Sequence, residues 1–63
     1  MDKVVPKLGE LVRAQNKNIN ELVKRMDSCA DEALFNVLDE QLFQQTFLRD
    51  LVLDLIEDIL NDL

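Results

Sequence analysis

Apolar residues recur at spacings of three and four along two stretches of this chain. Val5, Leu8, Val12, Ile19, Leu22 and Met26 form the first series, with Gln15 filling the remaining core-type slot. That spacing gathers side chains on one side of a helix and makes a heptad-like seam of about three repeats. The second series is wider. Leu48, Leu51, Val52, Leu55, Ile56, Ile59, Leu60 and Leu63 fall along one side of a helix, while Asp50, Asp54, Glu57, Asp58 and Asp62 fall on the other. Upstream, Ala30, Ala33, Leu34, Val37 and Leu38 share the face used by Leu48, Val52, Leu55 and Ile59, but Gln41, Gln44 and Gln45 interrupt it. Leu42, Phe43 and Phe47 project to the flanks at the interruption. The pattern predicts a helix over 6–26, a turn at 27–29 and a long helix over 30–63.

Punctuation along the chain supports those boundaries. Pro6 suits a first helical position, where its missing N–H would have gone unpaired. Gly9 costs roughly 1 kcal/mol against alanine inside a helix, and Asn16, Asn18 and Asn20 are poor helix formers. A bend or break at Gln15–Asn18 is therefore expected, with Asn18 and Glu21 spaced as a fresh helix start. Lys24 and Arg25 suit the end of the first helix. Ser28 is expected to cap the second, with Asp31 and Glu32 in its first turn. The alternative is one uninterrupted helix through this region. In the second helix the apolar face shifts sideways near Gln44–Thr46; with no proline or glycine there, continuity is expected over a kink capped by Thr46. A continuous helix from Cys29 to Leu63 would span roughly 50 Å at the helical rise. The first helix cannot cover that length, which leaves apolar surface for a second molecule.

Size turns this surplus into an expectation of association. Sixty-three residues form at most one domain, and a core of that size is marginal. One cysteine excludes an internal disulfide, and the absence of histidine removes the usual zinc ligand sets. The single Gly, single Pro and lack of Trp or Tyr suit helices and argue against a β-sandwich. The expected class is all-α: a helical hairpin, or two long helices, associating into an oligomeric bundle or coiled coil.

The net charge of −6 is unevenly placed. Residues 1–26 carry six cations against three acids, a net +3; residues 27–63 carry Arg49 alone against ten acids, a net −9. Opposite charge on two amphipathic halves favours one half lying against the other, within a chain or between copies. Asp58 and Asp62 crowd the negative end of the second helix, and the stripe runs uncapped to Leu63. Both features suggest a piece of a longer chain, or an end held by a partner's positive surface.

Candidate chemistry is sparse. Cys29 has no neighbouring base in sequence and reads as a packing residue. Asp50, Asp54, Glu57 and Asp58 lack calcium-loop spacing and read as a solvated face. The basic residues of the first half are scattered, without an aromatic platform for nucleic acid. The strongest amphipathic segment is acidic, unlike interfacial membrane helices, and no apolar run is long enough to span a bilayer. An enzyme, a cofactor, a bound metal, a nucleic-acid or small-molecule ligand and membrane insertion are all unexpected. An intracellular, cytoplasmic location is expected.

One twelve-residue segment has a sharper likeness. Leu48-x-x-Leu51-Val52-x-x-Leu55-Ile56-x-x-Ile59 is similar to the amphipathic helix with which anchoring proteins engage the docking domain of the cyclic-AMP-dependent kinase's regulatory subunits. Leu53 departs from that pattern by placing a leucine near the polar edge. The resemblance implies an amphipathic helix laid into an apolar groove. Any wide helical stripe satisfies the same spacing.

The function expected from the residues is a non-enzymatic interaction module that self-associates, as a homodimer or higher, within a scaffold, cytoskeletal or assembly protein. Its expected interface is Leu34, Val37, Leu38, Leu48, Leu51, Val52, Leu55, Ile56, Ile59, Leu60 and Leu63. Leu8, Val12, Ile19, Leu22 and Met26 form a secondary one. The alternative is a docking helix for a hydrophobic groove on a different protein.

Overall fold

A computed structural model describes residues 3–63 as two helices, α1 (Val4–Asp27) and α2 (Glu32–Asn61), packed antiparallel as a hairpin. Among the described residues no strand occurs. α1 opens two residues earlier than expected, so Pro6 sits within the first turn rather than at its first position. It costs nothing there, because N–H groups of the first turn have no partner inside the helix. The chain runs helical through Gly9 and through Gln15–Asn18, so α1 does not break there. Weak local propensity is overridden where a helix buries an amphipathic face. Ile19 is buried, and Asn16 is held by a tertiary hydrogen bond.

The connection corrects one assignment. Ser28 ends α1 instead of starting α2: its hydroxyl donates to the carbonyls of Lys24 and Arg25, both at 3.3 Å. Asp31 supplies the N-cap. Its backbone is extended (φ −89°, ψ 116°), and its Oδ1 accepts from the N–H groups of Ala33 at 2.9 Å and Leu34 at 3.3 Å. Ser28 has φ −98° and ψ 3°, which does not aim a side chain back at a following helix. Serine and aspartate are equally good caps by type; backbone geometry chooses between them. No residue of this turn adopts positive φ, so the missing glycine costs nothing.

α2 continues unbroken past Thr46. The threonine hydroxyl donates to the carbonyls of Leu42 at 3.0 Å and Phe43 at 2.9 Å, the back-bonding habit of a mid-helix threonine rather than a new cap.

Facing positions define the seam. Val5, Leu8, Val12, Gln15, Ile19, Leu22 and Met26 of α1 are all buried or half-buried. So are Leu38, Leu42, Gln45, Arg49, Val52, Ile56 and Ile59 of α2, again spaced by threes and fours. Leu42, expected on a flank, therefore lies in the seam, and Leu48 and Leu55, expected on the same face as Val52 and Ile59, lie outside it. A polar layer crosses the middle, where Arg49 Nη1 donates to Asn16 Oδ1 at 3.0 Å. In the antiparallel register that this bond marks, Val5 stands about level with Ile59 and Met26 with Leu38.

The two oppositely charged halves do lie against each other, but no direct ion pair joins them among the described residues. Among the described residues the one salt bridge, Arg49 to Asp50 at 3.3 Å, is internal to α2. Apolar burial carries the pairing instead, and there is little of it: among the described residues only Ile19 and Leu38 are buried, at 7% and 8% exposure. The hairpin measures 48 × 14 × 10 Å, with a radius of gyration of 14.7 Å. A compact chain of this length would have about 10.6 Å.

Candidate association surface

α2 presents apolar side chains over a wider arc than α1 can cover. On the flank beside the seam, two rows run along it at intervals of seven: Leu34, Gln41, Leu48 and Leu55, and Val37, Gln44 and Leu51. The five apolar members are 49–51% exposed. α1 contributes a matching row, Val4, Leu11, Asn18 and Arg25, also exposed. Asn18 and Arg25 line one open groove with Gln41, Gln44 and Gln45, floored by Leu22. Arg25 continues into a smaller recess with Cys29, Leu34 and Leu38 at the turn. The α1 row and the two α2 rows therefore border the same side of the hairpin.

That side is banded along its length. Leu34 and Val37 make a short apolar band at the turn. Asn18, Glu21, Gln41, Gln44 and Gln45 make a polar band in the middle. Val4, Leu11, Leu48, Leu51 and Leu55 make a longer apolar band toward the free ends. Near the polar band, Gln15 Oε1 is buried without a hydrogen-bond partner.

The expected interface thus divides in two. Leu38, Val52, Ile56 and Ile59 turn toward α1, as do Leu8, Val12, Ile19, Leu22 and Met26 from the other side. Leu34, Val37, Leu48, Leu51 and Leu55 remain on the open side. Leu60 falls on the opposite flank, and Leu63 stands beyond the helix end at 87% exposure. Val4 and Leu11 were missing from the expected set; the signal that would have found them is their spacing of four and three from Leu8, which opens a second apolar stripe beside the seam. Phe43, the most exposed aromatic at 71%, and Phe47, both expected on the flanks, lie instead on the far side of α2 from the seam, among its acids.

No family model, curated protein or solved structure matches this chain. The surface is read from its own chemistry.

Total exposed area gives the scale. The chain exposes 5043 Å². A compact monomer of 7.3 kDa exposes about 4,200 Å². The excess, on the order of 800 Å², is about what one partner contributes to a standard protein interface. Other chemistry on the molecule is thin. Cys29 is half-buried, with Sγ 3.3 Å from the Asp31 carbonyl, and it packs beside Leu34 and Leu38. Among the described residues no cluster of acids or cysteine is arranged to hold a metal ion, and no helix is long and apolar enough to cross a membrane.

Proposed function

We propose that this hairpin is a self-association module of a scaffold or assembly protein, joining copies through the banded open side. The observation carrying this reading is the apolar area left uncovered once α1 and α2 have packed. Leu34, Val37, Leu48, Leu51 and Leu55 are each about half exposed, so covering them gains about 1 kcal/mol per residue. The two rows of one copy, about 5 kcal/mol together, only reach the lower end of the association cost, about 4–15 kcal/mol. An isologous contact presents the row twice, and adds Val4 and Leu11 of each copy.

The docking-helix alternative has less support. The twelve-residue stripe that resembles a kinase-anchoring helix is split: Leu48, Leu51 and Leu55 face outward, while Val52, Ile56 and Ile59 lie against α1. Laying the whole stripe into a foreign groove would require α2 to leave α1.

Light scattering with circular dichroism at rising concentration tests the reading. A helical protein whose mass rises to a multiple of 7.3 kDa is expected. Leu51→Glu with Leu55→Glu should return it to a monomer that keeps its helicity, because both positions are already solvated in the hairpin. A wild-type chain that stays monomeric at every concentration would overturn the proposal. So would a double variant that still associates.

A further inference from the structure

The banding of the open side, together with the charge difference between the helices, specifies how two copies meet. We infer that the partner is a second copy lying with its turn at the same end, so that α1 of each copy packs over α2 of the other. This rests on the self-association reading above and adds orientation to it.

Two face-to-face hairpins have two twofold arrangements. In one, the axis runs along the helices: both turns are at one end, and each α1 stacks on the partner's α2. In the other, the axis crosses the helices: the turns lie at opposite ends, α1 stacks on α1 and α2 on α2. All helix neighbours are antiparallel either way, so packing geometry does not choose.

Charge chooses the first. α2 carries seven acids, Glu32, Asp39, Glu40, Asp50, Asp54, Glu57 and Asp58, against Arg49 alone. α1 carries five cations, Lys7, Arg13, Lys17, Lys24 and Arg25, against Glu10, Glu21 and Asp27. Stacking α2 on α2 gathers like charge, whereas stacking α1 on α2 joins opposite signs. At the free ends the first arrangement brings the partner's Lys7 to the level of Asp58 and Asp62. Those acids sit at the negative end of α2, where its own last turn holds no cation.

Banding independently chooses the first. An axis along the helices maps every level onto itself, so the polar band meets the polar band and leucine meets leucine. Gln41 and Gln44 then face the partner's Asn18, an amide able to donate and accept. An axis across the helices inverts the levels. The polar band is closer to the turn than to the free ends, so full overlap would set Gln41 and Gln44 against Leu48 and Leu51. Aligning the bands would instead leave the helix ends overhanging. A polar layer that penalises misalignment is a recognised way of fixing register and orientation between helices.

Spin labels at a single cysteine near the turn read this directly. In a Cys29→Ser background, a label on exposed Glu32→Cys, at the turn end of α2, should give one label-to-label distance below about 30 Å, since paired bundle helices lie only ~10 Å apart. The opposite arrangement separates the labels by nearly the 48 Å length of the hairpin. A dimer with only the long distance overturns the orientation and leaves self-association standing. A monomer overturns both. In the same background, Gln41→Leu with Gln44→Leu removes the misalignment penalty. That variant should associate more tightly and acquire a second, long-distance population. An unchanged single short distance would overturn the part given to the glutamines.

Discussion

The two sides of α2 are made of the same residue types and have different fates. Leu38, Leu42, Val52, Ile56 and Ile59 lie toward α1, half-covered or better. Leu34, Val37, Leu48, Leu51 and Leu55 lie one step round the helix and keep about half of their surface in water. Neither composition nor hydrophobicity distinguishes the sets. What separates them is the width of α1, one helix, which fills a single seam. A stripe that serves one neighbour needs two positions per heptad; this one supplies roughly four, enough for two neighbours. The inner seam makes the hairpin and the outer rows make the proposed contact between hairpins.

The comparison breaks most severely at its inner side. Ile19→Asp replaces a buried aliphatic side chain of the seam with a carboxylate, at one of the two positions of the described chain that are buried. Loss of more than about 3 kcal/mol is expected from an unpaired buried charge. On so small a core that should abolish the helical circular-dichroism signal at 25 °C. The outer counterpart, Leu51→Glu with Leu55→Glu, should remove association and spare the signal. Equal loss of helicity in both variants would mean that the two sides are not separable, and that hairpin and assembly fold as one unit.

Much of the architecture was legible in the residues, because hydrophobic periodicity records which side of a helix avoids water. Two helices, the turn between them and the continuity of α2 past Thr46 all follow from spacing and from the lack of a breaking residue. The division of the stripe was not legible. Gln45 and Arg49 sit in the α2 seam, where a reading by apolar residues alone steps over them to Leu48. The facing Asn16 explains why Arg49 is placed there, but that partner is 33 positions distant in sequence. The cap was misplaced for a similar reason. Ser28 and Asp31 differ in backbone angle, which composition does not report.

Smaller changes sharpen the comparison by moving the hairpin without touching the outer rows. Asp31→Ala removes the acceptor for the Ala33 and Leu34 N–H groups and should cost about 1 kcal/mol. The midpoint of thermal unfolding should fall, while dimer affinity, measured well below that midpoint, stays near wild type. Gly9→Ala acts in the opposite direction. The new methyl would meet nothing within 4 Å, and the glycine sits mid-helix without positive φ. A gain of about 0.5–1 kcal/mol is expected, part of it from a less flexible unfolded chain. A loss would mean that another copy approaches α1 at Gly9, on a flank away from the proposed contact.

The smallest expected effect concerns the free ends. α1 finishes with Lys24 and Arg25 in its last turn, as the helix dipole prefers; α2 finishes with none, and with Asp58 and Asp62 instead. Asn61→Lys puts a cation at the last residue of α2, on the side away from both α1 and the outer rows. A gain of about 0.3–0.5 kcal/mol is expected at low ionic strength, shrinking toward zero in molar salt. Denaturant titrations at two salt concentrations separate this from a packing effect, which salt would not erase. If the partner's Lys7 already neutralises this end in the dimer, the gain should be larger under dilute, monomeric conditions than in the assembled state. Equal gains in both states would count against that pairing across copies.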